Sequence, residues 1–463
     1  MKKLGNITSI PFRGISIGAV LAFFLVFLPR EGVSPFVTFV LGLFIGLAWV
    51  SHYEASEGIL LTGLFLGAYA IRAFLSTLFY FLSFAYQDPP HVGFLFLNDG
   101  WAFQEDAFRM VQMIHFGFAP TQGSIWAFGK DVAPLPYMYW NCYVYFFSGK
   151  SPLTMFILNS FFGSLILLVA YDFVRHLFGK RAAFRAACLC AFWPSLILWS
   201  TQNLKDPLIS FSLLLLISSL LTIVQRPTFF RLGSLLLGGL ILLHLQRVLL
   251  LVILLLAIFA YFISLKIHRM LWMRIFWFSF LAACFLAYAI HFVPGNFVVN
   301  TMTRWQNYFI RYYDIQHKSE IFSRGFQTLN SLRQVRAQGG SAFLKNLNIT
   351  SPLSFLLFLP LLLCYAWFGP FPWQAFGFFK FFAAAEMIVF YFFMPAFLRG
   401  IKKAFQTERT AALLLLTSIF TIILLIALLD ANMGTAFRHR SNIIGLIFVF
   451  IAIGWEKSKE ASR

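Results

Sequence analysis

Long apolar stretches, separated by short polar segments, run through most of this 463-residue chain. The longer stretches reach the roughly 20 residues that a helix needs to cross about 30 Å of hydrocarbon. Their apolar residues are continuous and do not alternate with polar ones, as they would in membrane β-strands. We therefore predict an all-α, polytopic transmembrane helical bundle of about twelve spans. The predicted spans lie near residues 14–29, 35–52, 59–84, 152–172, 183–200, 207–225, 232–245, 247–264, 275–293, 378–398, 410–429 and 440–455.

The stretch 352–368 is long enough to span but does not fit this topology. Counting it as a span would put the basic residues that follow span 378–398 on the outer side. Pro360 lies inside the stretch, and proline interrupts helical hydrogen bonding. We predict that Pro360 breaks it and that it is re-entrant or interfacial, which is tolerated where protein buries it. Alternatively, the basic loop of about 294–351 is cytoplasmic.

Composition supports a membrane protein and orients its helices. Hydrophobic residues make up 60% of the chain and charged residues 11%, whereas soluble proteins carry roughly 25% charged residues. The net charge is +19, but Lys and Arg collect in cytoplasmic loops during insertion and are attracted by anionic lipids. The basic loops fall on one side if both termini are cytoplasmic. We therefore expect membrane lipids as partners and no nucleic acid.

The same pattern divides the chain into five parts. They are N-terminal transmembrane helices (1–84), a first extracytoplasmic, catalytic loop (85–151), core transmembrane helices (152–293), an extracytoplasmic loop with the interfacial segment (294–377) and C-terminal transmembrane helices (378–463).

Two carboxylates, Asp99 and Asp106, lie in the polar segment that follows the third span. In a helix over 100–115 their seven-residue separation is nearly two turns, so both lie at the edge of one apolar stripe. Glu105 points elsewhere. Burial beside an apolar face raises a carboxylate pKa toward the value that suits a general base. Asp99 and Asp106 are therefore candidate catalytic residues.

Simpler structural roles for these acids stay open. Asn98-Asp99-Gly100 is a turn signal, and Asp at this position is a good helix cap. Asp106 could instead form an ion pair with Arg109, three residues later on the same helix. Spacing alone does not decide between these roles and catalysis.

Further polar residues interrupt the apolar stretches at the predicted outer surface. Lys205 could bind a phosphate or extend to the interface, while Asp206, followed by proline, fits a helix N-cap. His244 and Arg247 divide an apolar stretch, and an arginine at that depth is usually functional or paired. Arg438 precedes the last span.

Arg438 and Arg440 break the positive-inside preference, which suggests a local anionic partner. For Arg440, extension of the side chain to the interface is an equally simple explanation. The loop of about 294–351 is basic and rich in aromatic residues. It would bind a lipid headgroup, either as part of the site or generically.

Outer acids beside outer Lys and Arg predict transfer of a sugar from a polyprenyl-phosphate donor. The cations would stabilise the departing phosphate, and a carboxylate would deprotonate an acceptor hydroxyl for single-displacement attack with inversion. The acceptor is a lipid, a glycan or a protein. The expected donor-phosphate-binding residues are Lys205, Arg247, Arg438 and Arg440, with Glu105, Asp206 and His244 in supporting positions.

At these residues the chain resembles the GT-C superfamily of polytopic glycosyltransferases, in particular bacterial protein O-mannosyltransferase-like and lipid A-modifying enzymes. The family's first outer loop carries an Asp, an aromatic residue four positions later and a small residue four further, here Asp99, Phe103 and Ala107. Phe103 replaces the usual Tyr. The resemblance continues through Ser151-Pro152-Leu153, Asn159, Leu177-Phe178-Gly179-Lys180-Arg181-Ala182-Ala183, Trp193-Pro194-Ser195, Lys205-Asp206-Pro207 and Arg247.

The resemblance implies a GT-C-like fold, Asp99 as the catalytic base and basic residues on the lipid phosphate. It also implies a multi-pass protein of the bacterial inner (plasma) membrane with an extracytoplasmic active site. The chain departs from the family in having three spans, and not one, before the catalytic loop. Some relatives use a divalent metal ion, which is therefore a candidate cofactor. The residues that could supply ligands are His91, Asp99, Glu105, Asp106 and His115, but their spacing is not diagnostic.

Two other functions stay open. An O-antigen polymerase or ligase type of enzyme would use arginines of the 294–351 loop instead of Asp99. A lipid-linked oligosaccharide flippase or other transporter would need paired charges deep within its spans. Apart from Arg72, Lys380 and Glu386, the spans offer few such charges, which disfavours transport.

Overall fold

The computed structural model describes residues 30–86, 98–117, 136–223, 227–264, 329–374 and 378–455, apart from scattered positions between 332 and 350. These residues form α-helices and one short 3-10 helix and contain no β-strand, which confirms the all-α prediction for them. The helices are α1 (Arg30–Val50), α2 (Ala55–Tyr86), α3 (Asn98–His115), α4 (Pro136–Ser148), α5 (Pro152–Phe178), α6 (Lys180–Phe192), α7 (Pro194–Ser200), α8 (Asp206–Ile223), α9 (Phe229–Leu245), α10 (Arg247–Ser264), α11 (Pro352–Phe368), α12 (Phe378–Thr407), α13 (Arg409–Leu429) and α14 (Met433–Gly454), and the 3-10 helix is Pro372–Gln374.

Seven of the described helices, α1, α2, α5, α8, α12, α13 and α14, are long and apolar enough to cross a membrane. The protein is therefore a multi-pass integral membrane protein. Helices α6 and α7 would form an eighth span if the bent pair counts as one. The predicted spans 14–29 and 275–293 lie outside the described residues, and Phe229–Leu245 is a shorter apolar helix. The number twelve stays a prediction.

Helix α11 corrects one prediction. It is continuous through Pro360, so our expectation that this proline breaks the stretch was wrong. Proline has no backbone N–H, so the helix lacks one hydrogen bond at Pro360. The chain stays helical there because opening further backbone hydrogen bonds in apolar surroundings would cost more. The helix begins after a Ser351 capping box, ends at Phe368 and is followed by Gly369 as its C-cap. Whether this 17-residue helix is re-entrant or interfacial stays a prediction.

Helix α5 lies at the centre of the first half of the fold. It packs against α1, α2, α6 and α8, and most of its side chains are buried. In the second half, α14 packs against α12 and α13 and also reaches α6 and α8, so it joins the two halves. Large apolar side chains on the outward faces of α1 and α2, such as Phe36, Ile59 and Phe74, are exposed and suit contact with lipid.

The predicted span 183–200 is bent and not straight. Helices α6 and α7 meet at Trp193 with an angle of 51°. Pro194 follows the bend, and proline cannot donate the backbone hydrogen bond that would continue α6. A bend of this kind at membrane depth is stable only if other groups replace the lost hydrogen bonds.

Two buried charges supply those hydrogen bonds. Arg72 donates to carbonyls 190 and 191, near the end of α6, at 3.1 and 2.7 Å. Glu386 accepts from the Ser195 amide at 2.6 Å and from the Trp193 indole at 2.7 Å. The cation lies at a helix C-terminus and the carboxylate at a helix N-terminus, which is the arrangement that the helix dipoles favour. These hydrogen bonds therefore fix the position of the end of α7.

The two ends of α5 lie beside different groups of polar and charged residues. Asn159 lies near its beginning, and Arg175 lies about 24 Å further along the helix at 1.5 Å per residue. There the Arg175 Nε lies 2.8 Å from Glu57, which also pairs with Lys180 and accepts a hydrogen bond from Tyr171 at 2.9 Å. The site described below lies at the Asn159 end.

We expect Arg72→Leu to destabilise the protein, because two buried carbonyls lose their donor at about 1–3 kcal/mol each. The matched control is Arg181→Leu, which removes an exposed arginine from α6. Reversible unfolding of the purified protein in mixed micelles measures the difference. Equal unfolding free energies for the two variants would show that Arg72 does not support the bend.

Candidate active site

Three helices begin close together at one end of the bundle, and Arg438 joins them. Asp99 lies in the first turn of α3, Asp206 is the first residue of α8, and Arg438 is in the second turn of α14. The Nη1 of Arg438 donates to Asp99 Oδ2 at 3.0 Å, and its Nε lies 3.3 Å from Asp206 Oδ2. One guanidinium therefore holds two carboxylates from distant parts of the chain.

The two carboxylates differ in their surroundings. The Asp206 side chain is 1% exposed and that of Asp99 is 45% exposed. In the part of the chain that the structure describes, neither carboxylate oxygen of Asp206 accepts a hydrogen bond, so Asp206 does not act as a helix cap. Arg438 provides the charge that balances it. Asp206 is thus a fixed anchor for Arg438, whereas Asp99 lies on the open side of the guanidinium.

Lys205 belongs to the same charged group. Burial lowers the pKa of its ammonium, Asp206 and Asp99 oppose that shift, and Arg438 and Arg336 add to it. Lys205 directly precedes Asp206 in the chain and lies within electrostatic range of Asp99, Arg438 and Arg336. We call Asp99, Lys205, Asp206 and Arg438 the Arg438 cluster.

A second charged group, the Asp430 arm, lies beside this cluster and consists of Arg336, Asp430 and His439. Asp430 follows α13 and its side chain is 1% exposed. Its Oδ1 lies 3.1 Å from Arg336 Nη1, and its Oδ2 accepts from His439 Nδ1 at 2.6 Å. Arg333 donates to the carbonyl of residue 427, near the end of α13, at 2.7 Å. Two arginines of the basic 294–351 loop therefore reach the site.

Sequence reasoning did not identify Asp430 or His439. Asp430 was detectable as an acid directly after an apolar span, immediately before the polar segment of residues 432–440. Arg336 belongs to the basic 294–351 loop, and the sequence does not distinguish it from the other basic residues there. Nothing in local spacing indicates that it meets Asp430, because the two are 94 positions apart.

A network of buried amides holds the turn that precedes α8 (residues 201–205). Asn159 Nδ2 donates to two carbonyls of that turn at 2.6 and 2.9 Å. The Tyr137 hydroxyl donates to Asn203 Oδ1 at 3.0 Å, and Asn203 Nδ2 donates to the carbonyl of Gly100 at 3.3 Å. Since Gly100 follows Asp99 in sequence, this network fixes both acidic segments against each other.

The other predicted acids of α3 lie elsewhere. Asp106 is 1% exposed, its Oδ2 has no hydrogen-bond partner among the described residues, and burial raises its pKa to about 6. Glu105 lies 2.9 Å from Lys150, whose ammonium is over the Phe108 ring. Neither acid contacts Arg438, so the structure brings Asp99, and not Asp106, to the cations.

The other residues predicted to bind the phosphate or to support the site do not join the Arg438 cluster among the described side chains. Arg440 is buried, and its Nη1 donates to three carbonyls at the end of α11 at 2.7 to 3.2 Å. His244 is exposed, and its Nε2 lies 2.9 Å from the carbonyl of Pro136. Arg247 begins α10, but its side chain is not among those described. The structure therefore groups Lys205 and Arg438 with the acids, and gives Arg440 a different set of partners.

The described residues contain no ready-made set of metal ligands. No three His, Cys, Asp or Glu side chains there come together in a way that would hold an ion. Asp99 and Asp206 share Arg438, which supplies positive charge at the point where a cation would otherwise bind them. Of the five residues named as potential ligands, His91 lies outside the described chain.

No protein-family model matches the chain, and no curated protein matches it. The case for a function therefore depends on the chemistry and geometry of the charged residues described above.

We expect Arg438→Gln to destabilise the protein by about 3–5 kcal/mol, because it leaves the buried Asp206 carboxylate without a countercharge. Adding Asp206→Asn should recover most of that loss. Asp99→Asn alone should cost at most about 1 kcal/mol, since Asp99 is partly exposed. Unfolding free energies of the wild type and these three variants measure the differences. An Arg438→Gln variant no less stable than Asp99→Asn would contradict the anchor role of Asp206.

We expect Asp106→Asn to stabilise the protein at pH 7.5. The unfolded carboxyl loses its proton near pH 4 but the folded one only near pH 6, so the native state loses stability as pH rises between these values. The Asn variant lacks this loss, and its advantage should shrink at pH 4.5. Thermal unfolding midpoints at the two pH values, with Glu105→Gln as control, measure it. A pH-independent difference would be inconsistent with a buried, titrating Asp106.

Proposed function

We propose that the protein is an integral-membrane glycosyltransferase. It transfers a sugar, with inversion, from a polyprenyl-phosphate-linked donor to a hydroxyl of a lipid, glycan or protein at the outer face of a bacterial inner membrane. The observation that carries the proposal is the Arg438 guanidinium, held by a buried carboxylate on one side and by a partly exposed one on the other. This arrangement suits exchange of the exposed partner for a phosphate.

Phosphate binding starts from this exchange. The donor phosphate takes the place of Asp99 at Arg438 Nη1, while Asp206 keeps its contact with Nε. A guanidinium offers several donors in a fixed plane and therefore accommodates a carboxylate and a phosphate together. Lys205 adds a second cation beside Arg438. Both cations then face the oxygen on which negative charge develops.

Displacement from Arg438 makes Asp99 the proton acceptor. A carboxylate that loses its cation becomes more basic, and Asp99 is the exposed member of the pair. The acceptor's O–H proton moves to Asp99, and the acceptor oxygen bonds to the anomeric carbon. The bond from that carbon to the phosphate oxygen breaks, and its electron pair stays on polyprenyl phosphate. Donor binding thus activates the base.

The polyprenyl chain requires an apolar surface that extends away from the charged residues. Tyr143 and Phe147 on α4, and Phe116 directly after α3, are each more than half exposed. The His115 ring stacks on Phe146, so these side chains lie toward the far end of α3, about 24 Å along that helix from Asp99. We assign to this surface isoprene units further along the chain, and not the first ones.

The proposed phosphate site differs from the predicted one in two residues, Arg440 and Arg247. Arg440 already donates to three carbonyls, so the proposed phosphate site does not include it. Arg247 stays a candidate ligand whose side chain lies outside the described part. A divalent metal ion stays a candidate cofactor, and no step here depends on it.

An O-antigen polymerase or ligase type of enzyme is the second candidate. The observation that favours it is that Arg336, from the basic 294–351 loop, lies in the Asp430 arm beside the Arg438 cluster. A transporter has less support, because the deep charges of Arg72 and Glu386 are occupied by backbone groups at the α6–α7 bend.

We expect Asp99→Asn to lower sugar transfer about 10²- to 10⁴-fold, the usual effect of losing a general base, with the unfolding midpoint almost unchanged. The measurement is transfer of radiolabel from polyprenyl-phosphate sugars to membrane acceptors by the purified protein. Glu105→Gln, on the same helix and paired with Lys150, is the matched control and should keep activity. Loss of activity in Arg336→Gln with Asp99→Asn unaffected would favour the second candidate.

A further inference from the structure

His439 has the geometry of a proton-transfer group. Its Nδ1 bonds to the buried carboxylate of Asp430 at 2.6 Å, and Arg336 holds the other oxygen of that carboxylate. Within the described residues, no hydrogen bond to His439 Nε2 is formed, and the side chain is 29% exposed. An imidazole fixed through one nitrogen presents the other in a defined direction. The next residue back along α14 is Arg438.

Charged side chains surround His439 and the carboxylate to which it bonds. The Arg438 cluster and the Asp430 arm contain three carboxylates (Asp99, Asp206, Asp430) and three basic residues (Lys205, Arg336, Arg438). Arg333, which interacts electrostatically with Asp430, is a further cation. The arginines attract an anionic phosphate group but do not give up protons, whereas the imidazole beside them can.

The chemistry of the leaving group matches this imidazole. A sugar phosphodiester carries one negative charge, and the phosphate monoester left after transfer takes up a proton with a pKa of about 6. Histidine is the side chain that most often serves as a general acid, and the hydrogen bond to Asp430 uses Nδ1 of His439 and not Nε2.

We propose that His439 is the general acid that protonates the departing polyprenyl phosphate, and that Asp430 is its positioning residue. This inference rests on the proposed glycosyltransferase function and deepens it. As the bond between the anomeric carbon and the phosphate oxygen breaks, its electron pair stays on that phosphate. The Nε2–H proton of the imidazolium moves to a phosphate oxygen, while the acceptor's proton moves to Asp99. Solvent then returns a proton from Asp99 to His439.

The first test needs no substituted protein. Diethyl pyrocarbonate modifies unprotonated, accessible histidine nitrogens, and mass spectrometry locates the modified residue. The full-length protein in nanodiscs is treated with and without undecaprenyl phosphate, and with undecaprenol as the uncharged control. We expect at least a tenfold slower modification of His439 with undecaprenyl phosphate, and no change with undecaprenol or with inorganic phosphate at the same concentration.

His52 is the matched internal control. It is exposed, its Nδ1 lies 2.8 Å from the carbonyl of Ala48, and it lies outside the charged residues described here. Its modification should be equal under all conditions. Slower modification of His52 and His439 alike would mean general shielding by lipid and would overturn the inference.

The second test separates this inference from the proposed function. We expect His439→Gln to lower radiolabel transfer at least 10²-fold while undecaprenyl phosphate still binds, because Arg438 and Lys205 remain. Asp430→Asn should lower the turnover rate and leave KM for the donor nearly constant. Undecaprenyl phosphate that binds in an Arg438-dependent way without protecting His439 would overturn the inference alone. No Arg438-dependent binding would overturn the proposed function as well.

Discussion

The site depends on one guanidinium shared between two unequal carboxylates. Arg438 on α14 contacts Asp206, which is buried, and Asp99, which is partly exposed. Removing a buried countercharge is costly, so the contact with Asp206 fixes the position of Arg438. The contact with Asp99 is open to solvent and correspondingly weak. A strong and a weak partner on one cation are what an anion-exchange site requires.

The rest of the fold keeps these three helix ends together. The α6–α7 bend, held by Arg72 and Glu386, leads directly into the turn before α8. Asn159 holds that turn through its carbonyls, and Asn203 links it to α3. Buried charges and amides in a membrane protein are thus used here to place a surface site. The cost of burying these four side chains in apolar surroundings is offset because each of them is hydrogen-bonded.

Much of the helical framework followed from the sequence, because continuous apolar stretches dictate spanning helices. A helix over 100–115 was predicted, and in the structure it begins two residues earlier, at Asn98, so that it also carries Asp99. The bend at Trp193 was missed, since the arginine that stabilises it lies 119 positions from its carbonyl partner. Pro360 was misinterpreted because the prediction considered only the hydrogen bond that proline removes. In a membrane, opening the rest of the helix would leave more backbone groups unpaired and would cost more.

Site residues show the same limit. Asp99, Lys205, Asp206 and Arg438 were identified because they interrupt apolar stretches, and the structure brings them together. Arg440 was grouped with Arg438 by position, yet residues two apart on a helix point about 160° apart, to nearly opposite sides. Polar residues in apolar surroundings can be read from sequence, whereas their partners are set by tertiary packing.

The most direct measurement is a cryo-electron microscopy structure of the protein in nanodiscs with undecaprenyl phosphate. The account predicts the phosphate within hydrogen-bond distance of Arg438 Nη1, with Asp206 still at Nε. Asp99 should then lie beyond about 4 Å, the reach of an ion pair. A phosphate at the opposite end of α5, near Arg175, or an unbroken contact between Asp99 and Arg438 in the lipid-bound protein, would contradict it.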